Sequence, residues 1–147
     1  MRAIRLLPPL QRRAIVTELL TVTLIAAALA QWVYLRRVGS PEAMERWLNA
    51  FGYVPAHPRW WTWLSAVLVH ADALHLSANL LGLWLFARYA EALWGKGRWM
   101  LFAVGGQGLA LAVQTAMTRK AVPNALEAPL IGASVLVALS MGAVWVG

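Results

Sequence analysis

Residues 15–34, IVTELLTVTLIAAALAQWVY, run for twenty positions with one charged side chain, Glu18, near the start. At a rise of 1.5 Å per residue a helix of about that length matches the roughly 30 Å hydrocarbon core of a bilayer. In lipid every backbone N–H and C=O has to be satisfied inside the spanning segment, so the run reads as a transmembrane helix. It is too long for an ordinary signal-peptide core, and no small-residue cleavage site separates it from a soluble domain. It is therefore read as a retained first span.

Three further stretches come close to membrane length: one from Asp72 to about Leu93, Trp99–Met117 with Gly105, Gly106, Gln107 and Gly108 inside it, and the short Leu130–Gly147, within which the sequence stops. The composition agrees. The chain is 61% hydrophobic and 13% charged, where soluble domains run nearer half and a quarter. The expected fold is all-α, a polytopic transmembrane helical bundle of about four spans. Residues 1–14 form a basic N-terminal segment and residues 15–147 one membrane domain. Nine tryptophans suit the headgroup level. The net charge of +7 sits at segment ends and forms no basic stripe, which points to anionic headgroups and away from nucleic acid. The absence of cysteine excludes disulfides, thiolate metal sites and a thiol nucleophile.

Residues 35–69 connect the first two spans. In GSPEAMERWLNAFGYV, Ser40 reads as an N-cap, with Pro41 at the first helical position and Glu42 in the first turn. Trp47, Leu48 and Phe51 then line one side of a short amphipathic helix lying in the interface. Trp60, Trp61 and Trp63 follow at headgroup depth. Lysine and arginine are almost evenly divided between the two sides. The cluster Arg2, Arg5, Arg12 and Arg13 ahead of the first span places the N-terminus in the cytoplasm, and a bacterial plasma membrane is the expected setting. Glu18 is expected to snorkel or to pair with Arg12 or Arg13.

Polar residues gather at the head of the second span, in HADALHLSAN, residues 70–79. Polar side chains at membrane depth are costly and mark function by default. Asp72 reads as an N-cap, which sets His75 one turn and Asn79 two turns into the helix, on one face. Spans two and four enter from the same side. PLIGAS sets Ser134 at a matching depth, with Gly132 and Ala133 permitting close helix approach. A hydroxyl facing hydrogen-bond donors is the constellation of serine hydrolysis, in which each oxyanion donor is worth roughly 3–4 kcal/mol. The plainer readings are a capping or back-bonded role for Ser134, a solvated loop position for His57, and bonds across helices for Gln107 and Gln114. Asp72, His75 and Asn79 make a poor metal set, because asparagine is a weak transition-metal ligand.

HADALHLSANLLGLWLFARYAEALWG resembles the second membrane helix of the rhomboid intramembrane serine proteases. His70, His75, Asn79, Leu83, Trp84, Glu91 and Gly95 fall in register with that family's pattern. Gly132 to Ser134 is similar to its Gly-x-Ser-Gly motif, and Gly142 to a later glycine. The resemblance spans about residues 32 to 147. It implies Ser134 as nucleophile, His75 and Asn79 as oxyanion stabilisers with the Ser134 backbone N–H, and His70 as support for the same polar region. It implies cleavage of transmembrane protein substrates within the lipid bilayer, without metal or cofactor. Val135 stands where the family carries glycine. The family's general base is a histidine on a sixth span, whereas the histidines here are 57, 70 and 75. Three readings stay open: a fragment of a longer protease, a non-catalytic relative that binds transmembrane segments, or His75 itself as the base. A transporter-like or metal-handling bundle is the remaining class.

Overall fold

A computed structural model describes residues 14–146 of the chain. The four N-terminal arginines, and with them the expected partners of Glu18, lie outside the described residues. Among the described residues the secondary structure is helical, with one isolated antiparallel bridge between Tyr53 and Leu130.

Helix α1 (Ile15–Val38) fills the first apolar run and ends at Gly39, whose φ of 61° is the left-handed conformation that glycine adopts without strain. Helix α2 (Ala43–Phe51) and the single turn α3 (Thr62–Ser65), continued by a 3₁₀ turn (Ala66–Leu68), make up the ordered part of the long connection. Helix α4 (Ala73–Gly82) runs through a π turn (Leu83–Ala87) into α5 (Arg88–Trp94). Gly95, at φ 80°, turns the chain into α6 (Lys96–Ala121). A 3₁₀ turn (Pro123–Glu127) and an extended stretch lead to α7 (Ser134–Val146).

By length and apolarity, α1 and α6 each suffice to cross a membrane. The Ala73–Trp94 unit qualifies together with Thr62–Leu68, from which it bends by 99°. Helix α7 is apolar but has 13 residues. Two spans, or three with the bent pair, are thus present by this measure.

Two sequence expectations need correction. Ser40 does not cap α2: Glu42 occupies the N-cap position without a side-chain cap bond, while the Ser40 hydroxyl accepts from Arg46 at 2.8 Å. Pro41 and Glu42 lie in a turn ahead of the helix. Nor does the fourth helix begin at Leu130. Leu130 pairs with Tyr53, and Gly132 has a φ of 95°, so helical geometry starts at Ser134 itself.

Helix α7 packs mainly against the π turn and α6. Lipid tails are as apolar as leucine, so helix pairs in a bilayer gain from close fit, which small residues allow. A β-carbon on Gly82 would stand 2.5 Å from a methyl of Val137, and one on Gly106 would stand 2.6 Å from a methyl of Leu139. Leu24, Leu83, Ala87, Ala90, Trp99 and Ala143 complete the buried centre. Helix α1 runs antiparallel to the α4–α5 unit. Its start meets Glu91 of α5, and its far end meets His70 ahead of α4.

Candidate active site

The first half of the site is built by the head of α4. Asp72 takes an extended conformation and accepts the His75 backbone N–H at 2.7 Å, the N-cap that the spacing predicts. This cap fixes where the helix starts and so the heights of His75 and Asn79. His70 lies in the loop ahead of the helix and is 3% exposed. Its Nδ1 lies 3.3 Å from the Leu68 carbonyl oxygen, and its ring meets that of His75 edge to face at 5.0 Å between centroids. Burial pushes the His70 imidazole below its usual range and neighbouring His75 adds to that, against the opposing effect of the Leu68 carbonyl. Asn79 is buried as well. Among the described residues His70 Nε2 and Asn79 Nδ2 have no hydrogen-bond partner.

The second half is the extended stretch before α7. Leu130 exchanges two backbone bonds with Tyr53, at 2.8 and 3.1 Å, and the Gly132 N–H donates to the Ala66 carbonyl at 2.8 Å. These three bonds fasten the stretch to Tyr53 after α2 and to the 3₁₀ turn after α3, and bring Gly132 up to α4. A β-carbon at Gly132 would stand 2.6 Å from both Cε1 and Nε2 of His75, and 3.4 Å from Nδ2 of Asn79. The positive φ and this approach both demand glycine. Ala133 is fully buried, and the helix opens with Ser134.

The structure thus brings His70, His75, Asn79 and Gly132 together, with Ser134 two residues beyond. The serine itself is exposed and lines a cavity of about 240 Å³ with Ala66, Gln107, Gln114 and Val135. Among the described residues no hydrogen bond joins its hydroxyl to an imidazole. His57 is exposed, 3.2 Å from Glu127.

Among the described residues Gln107 and Gln114 do not form the expected bonds across helices. Both face this cavity, and Gln107, 3% exposed, leaves Oε1 without a partner among the described residues. Sequence reasoning also missed Gln31, whose side chain bonds the His70 backbone from α1. A carboxamide inside a membrane-length apolar run was the available signal.

The arrangement offers a hydroxyl at a helix start, two residues past a glycine that meets an imidazole and a carboxamide of α4. A family model described as Rhomboid domain matches residues 57–147, well over half of the chain, including His70, His75, Asn79, Gly132 and Ser134. No curated protein and no solved structure matches the chain.

Proposed function

The chain belongs to the rhomboid family, and from that premise we propose that it carries the nucleophile and oxyanion half of an intramembrane serine endopeptidase that cleaves transmembrane segments. The observation that carries this reading is the contact of Gly132 with His75 and Asn79, two residues ahead of Ser134. In the proposed step Ser134 Oγ attacks the scissile carbonyl carbon. The negative charge that develops on the carbonyl oxygen is met by the Ser134 backbone N–H, the Asn79 amide and an N–H of the His75 ring. His70 supports His75 through ring contact. The first N–H groups of a helix have no partner within it and point at its start, which suits α7 to an oxyanion at Ser134.

A serine nucleophile needs an acceptor for its proton. The proposal assigns that role to none of the three histidines: the Oγ proton passes to water at the exposed Ser134, and collapse of the tetrahedral intermediate then breaks the C–N bond, the amine leaving with a proton from water. The membrane arrangement proposed with this chemistry has four spans and a cytoplasmic N-terminus in a bacterial plasma membrane, with the site near the outer face. The Arg59–Trp61 and Arg36–Trp32 stacks suit that face.

One observation favours a second reading, a non-catalytic relative that binds transmembrane segments. Val135 stands in the family's glycine position, and its side chain lines the same cavity as Ser134. A fluorophosphonate probe decides between the two. Labelling that mass spectrometry maps to Ser134 and that Ser134→Ala abolishes supports the nucleophile. Protein that stays unlabelled, or labelling that survives the substitution, supports the binding role.

A further inference from the structure

Gln31 lies toward the end of α1, 6% exposed, in a helix whose other buried residues are Thr17 and Leu24. A buried carboxamide is tolerated where its hydrogen bonds are made. Here they are made to the backbone of one residue. Nε2 donates to the His70 carbonyl oxygen at 2.7 Å, and Oε1 accepts the His70 N–H at 3.4 Å. Met44 Sδ of α2 lies 3.7 Å from the same Nε2. The side chain grips the His70 backbone at two points, as a neighbouring strand would, and so limits both its translation and its rotation.

That grip matters because the site's own side chains are weakly anchored. Among the described residues no hydrogen bond holds the His75 ring, and His70 Nε2 and Asn79 Nδ2 are unpartnered. Besides the Leu68 carbonyl at the His70 Nδ1, the imidazoles are held through the backbone, by the Asp72 cap on one side of the loop and by Gln31 on the other.

We propose that Gln31 is a positioning residue for the site: its carboxamide fixes the His70 backbone and through it sets the His70 ring and the His75 ring that it meets, which faces Gly132. The catalytic meaning of this placement rests on the proposed function; the placement itself does not.

The chain contains three histidines, so ¹⁵N-histidine spectra of the full chain in nanodiscs resolve the rings directly, with His57 as the internal control. In Gln31→Leu the His70 and His75 ring signals move and the His57 signals stay. In Gln31→Glu a protonated carboxyl has the donor and acceptor to restore both bonds, whereas a carboxylate has acceptors alone. Compared with the parent at each pH, Gln31→Glu therefore matches the parent where the carboxyl is protonated and departs from it where the carboxyl is ionised. His70 and Asp72 are the titratable groups sharing the cavity beside Gln31, and both are present in the parent and in Gln31→Leu as well, so the comparison removes their contribution. Where Gln31→Leu fails to fold, the Gln31→Glu series decides alone.

Ring signals that do not move in Gln31→Leu, or a Gln31→Glu series that tracks the parent at every pH, overturn the proposal. Fluorophosphonate labelling separates it from the functional reading. If the parent labels at Ser134, Gln31→Leu lowers the rate, by up to about a hundredfold for a displacement near 1 Å. A parent that does not label removes the hydrolase reading and leaves the ring result to stand. A parent that labels while the rings of Gln31→Leu stay in place overturns the positioning role alone.

Discussion

Gly132 presents its α-carbon to the His75 imidazole so closely that a methyl group between them would stand 2.6 Å from two ring atoms. The contact joins the stretch before α7 to α4 and sets the height of Ser134 against His75 and Asn79. It depends on a residue that tolerates a φ of 95° and has no side chain. Gly132→Ala is expected to cost about 1–3 kcal/mol through overpacking, with a further ~1 kcal/mol from the backbone conformation. Thermal unfolding in detergent reads the stability loss, and displaced His75 ring signals read the local cause. An unchanged midpoint would mean that the stretch sits further from α4.

Glu91 caps a helix distant in sequence. Its carboxylate accepts the Val16 N–H at 3.0 Å, the Thr17 N–H at 2.8 Å and the Thr17 hydroxyl at 2.8 Å, in a buried setting. The positive end of the α1 dipole favours the negative charge there. Hydrogen bonds to a charged group contribute roughly 1.5–3 kcal/mol each, and one left unmade in a buried setting costs more than its mean worth. Glu91→Ala is therefore expected to lower the unfolding midpoint far more than Thr17→Val, which removes one of the three bonds. Equal losses in the two variants would argue against a shared cap.

Stability should depend on pH through His70. Its folded-state imidazole titrates below the usual value of 6.5, chiefly because of burial. As pH falls below 6.5 the unfolded chain takes up the proton first, so stability present above that pH is lost progressively toward the folded-state value. The midpoint of the parent is expected to fall as the pH drops below 6.5. In His70→Gln the corresponding part of the slope disappears. A slope unaffected by His70→Gln would place its origin elsewhere.

Gln107 is the opposite case to Gln31, a buried carboxamide whose oxygen has no partner among the described residues. An unsatisfied buried acceptor costs about 1–3 kcal/mol. Gln107→Leu, which nearly conserves volume, is expected to raise the unfolding midpoint. A lowered midpoint would show that the oxygen is bonded, for instance to water in the cavity it shares with Ser134.

Much of this was legible in the sequence, because periodicity and length are local. The apolar runs gave α1, the α4–α5 unit and α6, and Asp72 followed by His75 and Asn79 gave the cap and its polar face. What escaped depends on partners far along the chain. Nothing near Ser40 shows that the Arg46 side chain takes its hydroxyl, so the helix starts two residues later than capping preference suggests. The extended geometry of Leu130 to Gly132 comes from Tyr53 and Ala66, and an apolar stretch leading into a helix reads locally as more helix. Gln31 and Glu91 make their bonds across 39 and 75 positions of sequence. Gln107 shows the converse, a polar side chain in a span whose expected cross-helix partner is absent among the described residues.

The central claim is that His75 and Asn79 stand where charge develops when Ser134 is attacked or attacks. The rate of fluorophosphonate labelling at Ser134, measured in the parent, His75→Ala and Asn79→Ala, tests it most directly. Each substitution is expected to slow labelling while the fold, followed by thermal unfolding, survives. Losing one oxyanion donor costs about 10²–10³ in rate at a well-formed site. Labelling at Ser134 that proceeds at the parent rate in both variants would contradict the account.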